Sequence, residues 1–336
     1  MDLCSLDLEN ILRTHLALLF SLLLSVPAVA GPISISFTCE QHIPFVQVQS
    51  SDNNQPPLYF ILDTGASPTI VNWISVGSLN MGFRKIYQPG KDFATARTCG
   101  IGDSPAGYIY GLRAKCGGIP LRPTALRTDI SNISLSFGHR VDGLLGTDFL
   151  KDQILTMNFE SHSLQLEQAP RATNIFARIF GAISLEKHEA LFVKIATPSS
   201  KRPLVFLVDT GSSHCIIDSG VAKRLNLSRG AQCIVNVVGG QQIANIANNF
   251  SGTLDGYSLP SQVTMFDLSN VSWSLSHHID GILGMDFMEN FTVKINFHTG
   301  QMQLLPNQEA FFPARKMRDL NEAKIFLTYH DRVSFP

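Results

Sequence analysis

The stretch Leu58-Tyr59-Phe60-Ile61-Leu62-Asp63-Thr64-Gly65-Ala66-Ser67 is an apolar run that delivers a carboxylate into a tight turn, and it occurs twice. Leu204-Val205-Phe206-Leu207-Val208-Asp209-Thr210-Gly211-Ser212-Ser213 repeats it 209 − 63 = 146 positions later with the same acid, hydroxyl and glycine. Each copy has a second landmark downstream. In the first it is Asp142-Gly143-Leu144-Leu145-Gly146-Thr147-Asp148-Phe149, and in the second Asp280-Gly281-Ile282-Leu283-Gly284-Met285-Asp286-Phe287. The intervals from the acid, 142 − 63 = 79 and 280 − 209 = 71, differ by the length of a loop. Met157-Asn158-Phe159 and Ile295-Asn296-Phe297 then open similar endings. A period of this size is a duplicated domain, too long for a solenoid unit. The chain is therefore expected to fold as two copies of one architecture, with any site that uses both acids lying between them.

The local pattern is β-rich. Short runs of Val, Ile, Leu and Phe alternate with clusters of Gly, Pro, Asn and Ser. Residues 33–37 and 43–48 read as strands, with Pro44 confined to an edge or a strand start. In each repeat a hairpin, 43–48 with 58–62 and 190–195 with 204–208, ends on the acid. Thr147 or Asp148 is placed to cap a short helix through Leu150. At 336 residues with 44% apolar content the chain can bury two moderate cores. A net charge of −1 without long charged runs argues against nucleic acid and membrane-surface partners.

Residues 16–26 form a short apolar core, followed by Pro27 and the small residues Ala28-Val29-Ala30, which predicts a signal peptide cleaved after Ala30. Asp2, Asp7 and Glu9 around a single Arg13 depart from the usual basic flank. The run is short for a span of about 20 residues, so no stable membrane span is expected after cleavage. The expected product is exported, periplasmic or secreted. The division that follows is signal peptide 1–30, first domain 31–168, linker 169–182, second domain 183–308 and tail 309–336. The tail has no counterpart in the first repeat and is a candidate plug. Five cysteines remain after cleavage: Cys39, Cys99, Cys116, Cys215 and Cys233. Cys99–Cys116 and Cys215–Cys233 would each close a local loop in an oxidising compartment, leaving Cys39 over; buried unpaired thiols are the alternative. Zinc-type Cys/His spacing is missing, so no metal is expected. The sequons at Asn132, Asn226, Asn249, Asn270 and Asn290 bear only on a eukaryotic secretory host.

An acid at the end of a buried strand responds to its setting by a raised pKa, and two such acids together share one proton. Thr64 and Thr210 offer hydroxyls that can bind backbone across a join, and Gly65 and Gly211 permit close backbone approach. The repeats differ after the glycine, Ala66 against Ser212. A serine hydroxyl beside Asp209 would favour its charged form, so Asp209 is expected to be the ionised partner and Asp63 the protonated one. Between the landmarks, Val237-Val238-Gly239-Gly240-Gln241 and Cys99-Gly100-Ile101-Gly102-Asp103 are candidate mobile hairpin tips.

With these residues in hand, the chain resembles the retropepsin-like aspartic proteases over both repeats. The resemblance implies a mostly β fold of two tandem retropepsin-like β-barrel domains forming a pseudo-twofold bilobal unit, one short helix per domain. It implies Asp63 and Asp209 as the catalytic pair and Thr64 and Thr210 as cross-braces. Gly65, Ala66, Gly211 and Ser212 would support the pair, and flaps would carry Gly100, Gly102, Gly239 and Gly240. Leu144-Leu145-Gly146 and Ile282-Leu283-Gly284 would pack behind the acids. It further implies hydrolysis of extended polypeptides by an activated water without a cofactor. Two joined domains differ from the retroviral homodimer, and Tyr108 and Tyr110 follow the candidate flap where a pepsin-like flap carries a tyrosine. A monomer with an intramolecular pseudo-dimer is expected. The alternatives are an intermolecular homodimer and a catalytically silent peptide-binding protein.

Overall fold

The computed structural model describes residues 31–51, 55–79, 95–97, 103–169, 183–184, 186–187, 190–307 and 325–327. The expected signal peptide, Cys99, Gly100, Gly102 and nearly all of the linker lie outside the described residues. The fold is mostly β, in several sheets. Residues from Ile33 onward form one unit in which both repeats take part.

Each repeat builds the same strand pattern around its acid. Leu58–Leu62 is antiparallel to Ile43–Ser50 and parallel to Gly143–Leu145. Gly143–Leu145 is in turn antiparallel to Ile70–Asn72, which runs parallel to Thr124–Thr128. In the second repeat Leu204–Val208 is antiparallel to Leu191–Ile195 and parallel to Gly281–Leu283. There Gly281–Leu283 lies antiparallel to Ile216–Asp218, itself parallel to Val263–Phe266. Phe60, Ile61 and Leu62 are buried, as are Phe206, Leu207 and Val208, so each acid leaves a strand with apolar neighbours on both faces. Gly281 is required for this packing, because a Cβ there would fall 2.5 Å from the Ile216 carbonyl oxygen and against the Phe206 ring.

The repeats are joined by strand pairing. The hairpin Gln153–Asn158 with Ser163–Gln168 and its counterpart Phe291–Asn296 with Gln301–Pro306 meet edge to edge through Gln153–Asn158 and Phe291–Asn296. Thr156 pairs with Lys294, the residue at the same place in the other repeat, so the pseudo-twofold axis passes between them. Apolar residues alternate inward along both strands, Leu155 and Met157 opposite Ile295 and Val293. The edge that each half would otherwise expose is thereby closed by its twin.

One helix per repeat proves too few. Among the described residues the first repeat has a 3-10 segment Trp73–Leu79 and helices Ser131–Phe137 and Thr147–Leu150; the second has Ser219–Arg224, Ser269–Leu275 and Met285–Met288. Acids start several of them. Asp218 accepts N–H from Gly220 and Val221 at 2.9 and 3.1 Å, while Asp129 and Asp267 accept from Ser131 and Ser269 at 2.8 and 2.9 Å. The N-cap of Thr147–Leu150 is Gly146, not a side chain, and Asp148 is turned instead toward Thr69.

A long hairpin, Ser228–Val237 with Gly240–Asn248, projects from the second repeat. Its turn uses positive φ at Gly239 (95°) and Gly240 (155°), backbone that a side chain resists. In the first repeat Thr95–Arg97 pairs with Asp103–Pro105, bracketing 98–102. The Cys215–Cys233 bridge is not formed: both thiols are free and sit in different apolar clusters. Cys39 and Cys116 are free as well. Among the described residues no helix is long and apolar enough to cross a membrane.

Candidate active site

The two Asp-Thr-Gly turns meet at the junction of the repeats. The Asp63 N–H donates to the Leu145 carbonyl at 3.0 Å and the Asp209 N–H to that of Leu283 at 3.1 Å, so each acid is seated on the strand from its own second landmark. The threonines then lock the turns together reciprocally. Thr64 Oγ1 donates to the Val208 carbonyl at 2.8 Å and accepts the Thr210 N–H at 3.0 Å. Thr210 Oγ1 donates to the Leu62 carbonyl at 2.7 Å and accepts the Thr64 N–H at 3.0 Å. Both side chains are fully buried, where an unmet backbone group would be costly.

This lock brings Asp63 and Asp209 face to face, both completely buried and close enough for their side chains to interact directly. Gly65 is the point of closest approach. A Cβ built there would stand 2.6 Å from Asp209 Cγ, so only glycine lets the two turns close. Asp63 Oδ1 accepts N–H from Gly65 at 2.8 Å and Ala66 at 2.9 Å, and Asp209 Oδ1 accepts from Gly211 at 2.8 Å. The Oδ2 atoms of both acids are buried without a hydrogen-bond partner among the described residues. One oxygen of each carboxyl is thus held and the other is left for chemistry.

Burial pushes both acids upward. Asp63 reaches about 7, held back by the amides of Gly65 and Ala66. Asp209 rises well above the carboxylate range, by burial first and then by the charge on Asp63. Burial holds a proton within the pair, and of the two carboxylates Asp63 accepts two main-chain N–H groups within its own turn where Asp209 accepts one. The Ser212 hydroxyl donates to the His214 carbonyl at 2.8 Å, and its N–H goes to the Asp209 main-chain oxygen at 3.3 Å. It is Ala66 whose amide reaches a carboxylate, and that carboxylate is Asp63.

A second pair of acids holds the turns from behind, and reading the sequence missed it. Asp148 Oδ1 accepts the N–H and hydroxyl of Thr69 at 2.9 and 2.7 Å, and Thr69 Oγ1 accepts the Gly146 N–H at 3.2 Å. In the second repeat Cys215 takes the place of Thr69. Its N–H donates to Asp286 Oδ1 at 2.9 Å, and its Sγ accepts the Gly284 N–H at 3.4 Å. Burial raises both acids, Asp286 to about 6. Across the junction, His42 Nδ1 lies 2.7 Å from Glu289 Oε2, and its ring meets His214 edge-on at 5.6 Å. Burial and the nearby His42 lower His214 to about 3, which keeps it neutral.

The candidate flap residues Gly239 and Gly240 are at the tip of the long hairpin, and this tip reaches the opposite repeat. Asn132 Nδ2 donates to the carbonyls of Val237 at 2.7 Å and Gly240 at 2.9 Å, and Val238 is buried in the apolar cluster that contains Ile43, Phe45 and Leu126. Asn132 was read only as a sequon; its helix repeats as Ser131-Asn132-Ile133-Ser134 and Ser269-Asn270-Val271-Ser272, a similarity that could have marked it.

Residues 193–287 match the model of a family described as aspartyl protease. The matched segment contains Asp209-Thr210-Gly211-Ser212 and ends at Phe287 of the second landmark. No curated protein matches the chain. The similarity is to a family of aspartyl proteases and lies within the second repeat, over the strand, turn and landmark that carry Asp209.

Proposed function

We propose that the protein is an aspartic endopeptidase whose two repeats each supply one acid of a single dyad. The observation that carries this is the pair Asp63 and Asp209, fully buried, opposed across the reciprocal threonine lock, each with one oxygen anchored and one unpartnered. Their raised pKa values allow one proton to be shared between them near neutral pH.

In the reaction, a water between the acids gives a proton to the Asp63 carboxylate while its oxygen attacks the scissile carbonyl. Asp209, protonated, donates to the carbonyl oxygen as negative charge develops there, and a tetrahedral diol results. Asp63 then passes its proton to the amide nitrogen, the C–N bond breaks, and Asp209 regains its proton from a diol hydroxyl as the new carboxyl forms. The threonine lock contributes by holding the acids at fixed separation, since small misplacements of reacting groups are expensive in rate. An extended substrate would lie along the hairpin carrying Gly239 and Gly240 by strand-like backbone pairing. The signal-like 1–30 supports action outside the cytoplasm, in a periplasm or an external medium.

The test is hydrolysis of a diverse peptide library between about pH 3 and 7, where a carboxylate dyad titrates. The parent should cut, and Asp63→Asn and Asp209→Asn should each be inactive. A mixture of the two variants should stay inactive, because both acids of a working dyad belong to one chain. A folded parent that cuts nothing would replace the proteolytic reading with a peptide-binding one.

A further inference from the structure

The long hairpin along which an extended substrate would pair has an edge that is already occupied. Ser228–Val237 pairs with Gly240–Asn248 on one side, and along its other side its last residues, Ile234-Val235-Asn236-Val237, carry neither charge nor proline. Natural sheet edges are ordinarily blunted by such residues, or else covered. Here the edge is covered by the chain's own tail: Ile325–Leu327 lies parallel to it, Val235 opposite Ile325, Asn236 opposite Phe326 and Val237 opposite Leu327. The three paired residues are those just before the tip, where Asn132 of the other repeat binds the Val237 and Gly240 carbonyls, so the covered edge adjoins a contact between the repeats.

We propose that this edge is the peptide-binding edge of the protease, and that Ile325–Leu327 is its resident occupant, displaced when substrate binds. The inference rests on the proteolytic reading for its use of the word substrate. An extended segment adds to a sheet edge through main-chain hydrogen bonds, with side chains deciding which segment fits. The occupant is Ile-Phe-Leu, flanked by Lys324 and Thr328, with β-branched and aromatic residues of high strand propensity. The substrate class is accordingly an uncharged extended peptide of β-branched and aromatic residues. Because the occupant is tethered, its effective concentration is high and every substrate must compete with it. If the edge is covered nine-tenths of the time, apparent affinity for substrate falls about tenfold.

The test uses the full chain with Phe326→Pro and Leu327→Pro, made singly. N–H groups along a strand point alternately to either side, so one of the two substitutions removes a donor directed at the hairpin. Hydrogen exchange at the amides of 235–237 should be about tenfold or more slower in the parent than in that proline variant. A labelled peptide of residues 321–331 should bind the variant and be excluded by the parent. On peptide substrates the variant should show KM lower by about tenfold with kcat unchanged. Equal exchange in parent and both variants, or lost protection without any change in KM or in peptide binding, overturns the proposal. If neither protein cuts any peptide while the exchange and peptide-binding differences persist, the proteolytic reading fails and the occupied edge stands.

Discussion

Thr64→Val tests the lock on which the whole site depends. Valine keeps the shape of threonine and replaces the hydroxyl with a methyl group, so packing is nearly preserved while two hydrogen bonds across the junction disappear. The Val208 carbonyl loses its donor at 2.8 Å and the Thr210 N–H its acceptor at 3.0 Å, both at positions with at most 1% exposure. A buried group left without a partner costs about 1–3 kcal/mol, which gives about 2–6 kcal/mol for the pair. Against a typical total of 5–15 kcal/mol this is a large fraction. Equilibrium urea unfolding should show a lower midpoint with an unchanged slope. Thr64→Ser keeps the hydroxyl and should lose about 1 kcal/mol for the missing methyl group. The reasoning is refuted if Thr64→Val stays within about 1 kcal/mol of the parent, or if Thr64→Ser falls as far as Thr64→Val.

Two further outcomes follow from the acids and the turn between them. The folded pair holds protons that the unfolded chain releases above its ordinary carboxylate pKa, so the stability this lends is complete below about 4 and is lost as pH rises through about 7. Asp209→Asn removes one partner of that conflict and should raise stability by on the order of 1–3 kcal/mol at pH 7 with little change at pH 4, measured by urea unfolding at both; an equal gain at both would exclude titration as the cause. Gly65→Ala would place a methyl group against the Asp209 carboxyl, and since a 1 Å misplacement of a reacting group costs about a hundredfold, kcat/KM should fall by about that factor or more; a variant with parental kcat/KM would show that the turns are farther apart than described.

What could be read from the sequence was the chemistry that neighbouring residues carry. An apolar run, an acid, a hydroxyl and a glycine in a row announce the strand and the turn, because each depends on residues within a few positions, and their repetition with a matching landmark is what pointed to a pair of acids. Interactions that depend on chain pairing were not legible. Thr69 meets Asp148, and Cys215 meets Asp286, at separations of 79 and 71 residues, and a hydroxyl in one repeat is a thiol in the other. The helices Ser131–Phe137 and Ser269–Leu275 span about two turns, too few for helical periodicity to show, although Asp129 and Asp267 stand at both starts as signals.

Ser212 shows the same limit from the other side. A hydroxyl next to a carboxylate was expected to serve it, but the His214 carbonyl two residues on is also within reach, and the side chain of a serine readily closes such a local bond. Once its hydroxyl is so engaged, the difference between the acids passes to the main chain. Ala66 turns its N–H to the Asp63 carboxylate, whereas the Ser212 N–H turns to a carbonyl. Two turns of similar sequence thereby give their acids different hydrogen bonds. In the proposed reaction one member of the pair accepts a proton while the other donates one, and the added N–H on Asp63 favours it as the acceptor.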